Sequence, residues 1–209
     1  MNPVVFEVDN VTYSYPGAGR ALDGVSFTIN QGESAAVLGA NASGKSTLLK
    51  LLDGLCFAES GCVKAFGEVL LESRITKQFR KNVGLLFQNP DSQLFCASVE
   101  EEVAFGPLQL GLPEPDVKRR VADALKLLGI EHLRERPPCL LSGGEKKKVA
   151  LASIISCGPR VILLDEPNAG LDPRTLQWLV EFLRVMNKEG VTLVSATHNL
   201  SFAADVADR

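Results

Sequence analysis

The sequence predicts an α/β fold with a mostly parallel central sheet, an antiparallel β flank and an inserted helical lobe. Three observations carry this. Near-continuous apolar runs at 35–38, 83–87, 161–164 and 191–195 suit strands buried on both faces of a parallel sheet. Helical patterns lie between them, and strand–helix–strand order implies right-handed parallel connections. Residues 98–155 hold several helical segments and no convincing strand, which marks the lobe.

Taken in order, residues 4–8 and 25–29 alternate apolar and polar side chains, with turn signals at Pro16-Gly17 and Gln31-Gly32, so the start of the chain reads as the antiparallel flank. The run at 35–38 leads into 39–47, GANASGKST, and then a Leu-rich helix over 45–53 stopped by Gly54. Val117, Val121, Leu125 and Leu128 recur at helical spacing between Asp116 and Gly129. A further helix over 174–187 is entered through Asp172 as cap and Pro173 at the first helical position.

The GANASGKST string is a phosphate cradle in its expected setting. Gly39 and Gly44 let successive backbone N–H groups turn toward one anion, and the following helix adds its positive end. Lys45 supplies a full charge, and Ser46 offers a hydroxyl suited to Mg2+. Asn41 and Thr47 belong to the same binding string. A second piece follows the run at 161–164, where Asp165 and Glu166 end a buried strand. Asp165 is placed to hold Mg2+ through water, and Glu166 to face the γ-phosphate as base. A third string, Leu141-Ser142-Gly143-Gly144-Glu145, contains an S-x-x-E capping box, and Lys146, Lys147 and Lys148 read equally well as a solvated helix face. Capping does not call for two glycines. Gly143 and Gly144 leave N–H groups open at a helix start, a second anion site far from the first in sequence. Two chains placed head to tail would complete each site from both.

Composition narrows the class. The chain has 209 residues, is 45% hydrophobic and carries a formal charge of −3, enough for a real core and without reason to expect broad nucleic-acid binding. Five scattered cysteines without C-x-x-C spacing read as reduced, small apolar residues. The opening MNPVVFEVDN has neither a basic stretch nor an apolar core, and no run approaches the roughly 18 apolar residues of a membrane span, so the chain by itself is expected in the cytosol.

With these strings in this order the chain resembles the ATP-binding cassette ATPases over nearly its whole length, which implies a P-loop NTPase fold of that type. The resemblance implies further roles: Tyr15, or else Tyr13, stacking on adenine; Gln88 joining Mg2+ and water to the helical lobe; residues 169–172, ending in Asp172, crossing the dimer interface; His198 contacting the γ-phosphate. Residues 87–95 and 99–107 resemble the energy-coupling-factor and cobalt-importer branch. That branch implies import of cobalt, nickel or vitamins by a pair of ATPases, identical or paralogous, with a membrane scaffold and a substrate-binding membrane subunit. The chain would then sit on the cytoplasmic face of the membrane, touching its partners through the segment after Gln88; a plain amphipathic surface helix is the alternative for that segment. One domain is expected over 1–209, with the core and β flank at 1–88 and 161–209 and the helical lobe with its signature string at about 89–160. ATP and Mg2+ are the expected cofactors.

Departures from the family pattern are Ala42 for Gly, Glu145 for Gln, Asn199 for Asp, and an end at Arg209, which suggests a truncated product. Ala42 would cost on the order of 1 kcal/mol if its φ is positive. A soluble ATPase of DNA repair or translation would share the core, but neither a long coiled coil nor a second cassette is present. A regulatory cassette is disfavoured by Lys45, Asp165, Glu166 and His198 occurring together, and a GTPase by the absence of N-K-x-D.

Overall fold

The computed structural model describes residues 2–17 and 19–209; Met1, part of the opening segment read above, lies outside them. The chain runs β1 (Val4–Ser14), β2 (Arg20–Asn30), β3 (Ser34–Leu38), α1 (Lys45–Leu52), β4 (Ser60–Ala65), β5 (Glu68–Val69), α2 (Lys77–Asn82), β6 (Val83–Leu86), α3 (Val99–Gln109), α4 (Glu114–Leu128), α5 (Gly143–Ile155), β7 (Val161–Asp165), α6 (Pro173–Lys188), β8 (Thr192–Thr197) and α7 (Leu200–Val206). Two four-stranded sheets form, an antiparallel β2-β1-β4-β5 and a parallel β3-β8-β7-β6.

The apolar runs are continuous because the parallel sheet is covered on both faces. Along β7, Ile162 and Leu164 pack with Val149, Leu151 and Leu179 in one cluster, while Val161 and Leu163 pack with Leu49, Leu52 and Phe6 in the other. Period-two alternation thus divides between two cores rather than between core and solvent. The first cluster includes the lobe helices α3, α4 and α5, and the second includes α1 and the antiparallel sheet. Two glycines permit close approach on the lobe side: a Cβ at Gly84 of β6 would lie 2.4 Å from Ile154 Cγ2, and one at Gly106 of α3 would lie 2.4 Å from Cys157 Sγ.

Helix ends follow their local signals. Asp172 caps α6 by accepting from the N–H groups of Arg174 and Thr175, with Pro173 next. Gly129 closes α4 with φ 64°. The flank differs from expectation. Its first two strands are 11 residues each rather than short, and it recruits β4 and β5 from between α1 and α2. The amphipathic pattern over 116–129 holds in α4, whose Val117, Val121, Leu125 and Leu128 are all buried.

Candidate nucleotide site

The register of the parallel sheet levels its strand ends. Leu38 pairs with Thr197, Ala196 with Asp165, and Leu164 with Leu86. The segments that follow, carrying Lys45, His198, Glu166 and Gln88, therefore leave the sheet along one carboxyl edge, where open parallel sheets take ligands.

The phosphate loop is shaped by backbone requirements. Gly44 has φ 90° and begins α1; a Cβ there would lie 2.3 Å from Ala21 O, so no other residue fits. A Cβ on Gly39 would lie 2.6 Å from Ser43 Oγ. Ala42 has φ 63°, the conformation that makes its methyl group costly. Lys45, 7% exposed, donates from Nζ to Gly39 O and Ala40 O at 2.8 Å each, spanning the loop from inside.

Beside it, Ser46 Oγ donates to Asp165 Oδ1 at 3.0 Å. Burial pushes the Asp165 carboxyl above its ordinary value, and the Ser46 hydroxyl opposes this. A hydroxyl and a carboxylate side by side next to a phosphate loop fit Mg2+, which takes one or two carboxylates and completes its shell with phosphate and water oxygens. Among the described residues no three His, Cys, Asp or Glu converge as an all-protein metal cage.

Glu166 stands next to this pair with φ 42°, a left-handed conformation that costs about 1–3 kcal/mol for a residue with a side chain. Its N–H donates to Ala196 O at 2.8 Å and its carbonyl accepts from Ala169 N–H at 3.0 Å. The carboxylate is almost fully buried, with Oε1 2.8 Å from His198 Nδ1 and 3.8 Å from Lys45 Nζ, and Oε2 3.2 Å from Thr197 Oγ1. The arrangement can take up a proton beside a bound anion and stabilise the charge that develops there.

A cleft of about 670 Å3 has walls that include Tyr15, Asn41, Lys45, Ser46, Thr47, Gln88 and Glu166; Asp165 and His198 are not among the walls and reach it through their contacts with Ser46 and Glu166. Tyr15 hydroxyl lies 3.3 Å from Thr47 Oγ1. Tyr13 meets Tyr15 edge-on at 5.1 Å and packs against the core, so Tyr15 is the one of the two that faces the cleft. Gly39 meets the cleft indirectly, through its carbonyl on Lys45.

Ser142, Gly143, Gly144 and Asp172 are not among those walls. Ser142 is exposed and caps α5 in a complete capping box with Glu145, whose carboxyl is held below its ordinary value by the Ser142 hydroxyl and N–H. A Cβ at Gly143 would meet nothing within 4 Å, and one at Gly144 would touch Thr175 at 3.4 Å, so the starts of α5 and α6 are neighbours. Asp172 hydrogen-bonds Thr175 and the first α6 amides, which holds its carboxyl low.

The sequence profile of the ABC transporter family matches residues 22–169. The chain belongs to the ABC transporter family. It is an ABC ATPase, a cassette that binds and hydrolyses ATP. It is 46% identical to the energy-coupling factor transporter ATP-binding protein EcfA of Carboxydothermus hydrogenoformans, over 97% of this chain and 74% of that one. Identity to the nickel import ATP-binding protein NikO of Rhodobacter capsulatus is 47%, over 97% and 83%. CbiO1 of Clostridium perfringens, part of the ABC transporter complex cbiONQ, superposes with a TM-score of 0.87 at 39% identity, covering 99% of this chain and 83% of that one. The cassette MJ0796, in a dimeric post-hydrolysis state with ADP and Pi, superposes with a TM-score of 0.87 at 27% identity, covering 96% and 91%.

Three features of this ABC ATPase escape sequence reasoning. The lysines after Glu145 are not a solvated face: Lys146 pairs with Asp91 at 2.7 Å, Lys147 is buried, and Lys148 lies over the Trp178 ring at 4.4 Å. Spacing cannot show this, because the partners come from other elements. Thr197 touches Glu166 and Asn168, yet a threonine ending a strand carries no signal in the text. Arg80 donates to Asp53 and Gly54 at the far end of α1, a contact over 26 residues or more with no periodic trace.

Proposed function

We propose that this ABC ATPase powers a membrane importer of metal ions, such as cobalt or nickel, or of vitamins, by closing an ATP-bound dimer. The observation that carries the reading is a division of parts. One cleft gathers Lys45, Ser46 and Glu166, the last two backed by Asp165 and His198, while Ser142, Gly143 and Gly144 stand outside it. A second cassette, identical or paralogous, brings its signature helix to each cleft, as the dimeric state of MJ0796 supports. The nickel import named for NikO, together with the likeness to CbiO1 and EcfA, supports a metal or vitamin cargo.

In this reading Tyr15 stacks on adenine, and Gly39, Asn41, Gly44, Lys45, Ser46 and Thr47 hold the phosphates. Ser46, Asp165 and Gln88 would hold Mg2+, which would supply positive charge beside the outer phosphates. Glu166 accepts the proton of the attacking water, and His198 orients that carboxylate and contacts the γ-phosphate. Ser142, Gly143 and Gly144 bind the partner's γ-phosphate, and Asp172 lies in the loop that crosses the interface. Loss of that phosphate removes the bridge, and the dimer reopens.

The chain forms one domain, with the core and flank at 1–88 and 161–209 and a helical lobe at about 89–160. It sits on the cytoplasmic face of the membrane; among the described residues no helix is long and apolar enough to cross one. The lobe offers Phe95 and Phe105, exposed and in edge contact at 4.9 Å, as the face for a scaffold subunit. Purification of the protein from detergent-solubilised membranes tests the assignment. Recovery of a scaffold and a small substrate-binding subunit is expected; recovery with ribosomes or DNA would overturn it.

A further inference from the structure

The turn that carries Glu166 is held from beneath by a lysine that the reading above leaves without a task. Lys147 lies on α5, five residues after Ser142, and is 2% exposed. Its Nζ donates to Pro167 O at 2.8 Å and to Ala169 O at 3.2 Å. Burial pushes the ammonium down to about 8, and the Glu166 carboxylate is the charge that opposes the shift. Keeping a cation there is costly, and an apolar side chain would pack α5 against the loop at less expense. What the ammonium adds is a grip on two carbonyls that flank Asn168.

Those carbonyls belong to a strained turn. Glu166 has φ 42°, a conformation that persists only where its surroundings over-determine it. Ala169 supplies much of that constraint, since its N–H donates to Glu166 O while its own carbonyl accepts from Lys147. A continuous set of hydrogen bonds thus runs from α5 through Ala169 to Glu166. The flanking lysines do not share in it, being committed to Asp91 and Trp178.

We propose that Lys147 is a positioning residue for ATP hydrolysis: it locks the 166–169 turn so that the Glu166 carboxylate stays between Lys45 and His198, and it joins that carboxylate to the helix begun by Ser142. The proposal rests on Glu166 being the base. A side chain that engages the partner's nucleotide and a side chain that serves the chain's own nucleotide are then parts of one rigid unit.

The test compares full-length Lys147→Met, which removes both donors, with Lys147→Gln, which keeps an amide donor without charge. Lys147→Met is expected to lower kcat about tenfold to a hundredfold, the cost of displacing a reacting group by a fraction of a bond length, with KM and calorimetric ATP affinity within about twofold of wild type and part of the rate recovered by Lys147→Gln. A kcat within about twofold of wild type in Lys147→Met would overturn the proposal. So would parallel loss of melting temperature, ATP affinity and rate in both variants, the pattern of a purely structural residue. Glu166→Gln assayed alongside separates the two layers. Full turnover in that variant removes the base assignment itself, whereas an inactive Glu166→Gln beside a fully active Lys147→Met removes only the role of Lys147.

Discussion

Conformation at single residues decides the shape of the phosphate loop. Gly44 cannot carry a side chain, because a Cβ would lie 2.3 Å from Ala21 O at a φ of 90°. Gly44→Ala is expected to destabilise the fold by more than about 1 kcal/mol and to abolish measurable ATP binding in calorimetry; unimpaired binding would contradict the cradle geometry. Ala42 is the converse case. Its φ of 63° costs about 1–2 kcal/mol, so Ala42→Gly should gain a few tenths to about 1 kcal/mol after the added freedom of the unfolded chain is subtracted. A lower melting temperature in Ala42→Gly would refute that assignment of strain. Lys45→Ala removes the ammonium that spans the loop and should sharply weaken triphosphate binding. At this scale the sequence is highly legible: the spacing of Gly39, Gly44, Lys45 and Ser46 encodes local geometry directly. Thr197 and Lys147 are not legible, since each matters through partners that only the fold brings near.

Elements were readable where one period ran long enough. The parallel strands show as apolar runs because both faces are covered, and α4 and α6 show through their spacing and their end residues. By contrast β4 has only Val63 and Ala65 buried, β5 is two residues long, and α7 spans seven, so none accumulates a pattern. The end of α1 illustrates another hidden feature. Asp53 is buried beneath Arg80, and desolvation raises its carboxyl to about 7 from 3.8, the Arg80 charge opposing. Since the folded state holds this proton more tightly, its contribution to stability is complete below pH 3.8 and is lost as pH rises through about 7. Melting curves should therefore show a decline between about pH 4 and pH 7 that is shallower in Asp53→Asn. An identical decline in both proteins would show that Asp53 is not its source.

For the whole molecule, the nucleotide cleft and the glycine-bearing start of α5 do not meet within one chain. The cleft holds Lys45 and Glu166, while the α5 start stands outside it with Gly143 open and Gly144 against Thr175. Sequence order foreshadows this, because the two strings lie about 100 residues apart and each has its own helix start. The depth of their separation follows from topology, since α5 packs on the side of the sheet shared with α3 and α4, whereas α1 belongs to the opposite core. In the proposed dimer, nucleotide joins what one cassette keeps apart. The most direct measurement is the mass of Glu166→Gln by light scattering, with and without MgATP, for the chain alone and with its copurified partner cassette. In MgATP the expected mass is that of two joined cassettes, twice 22.5 kDa for the chain alone, and without it that of separated cassettes. ATP-bound cassettes that remain apart in every case would contradict this.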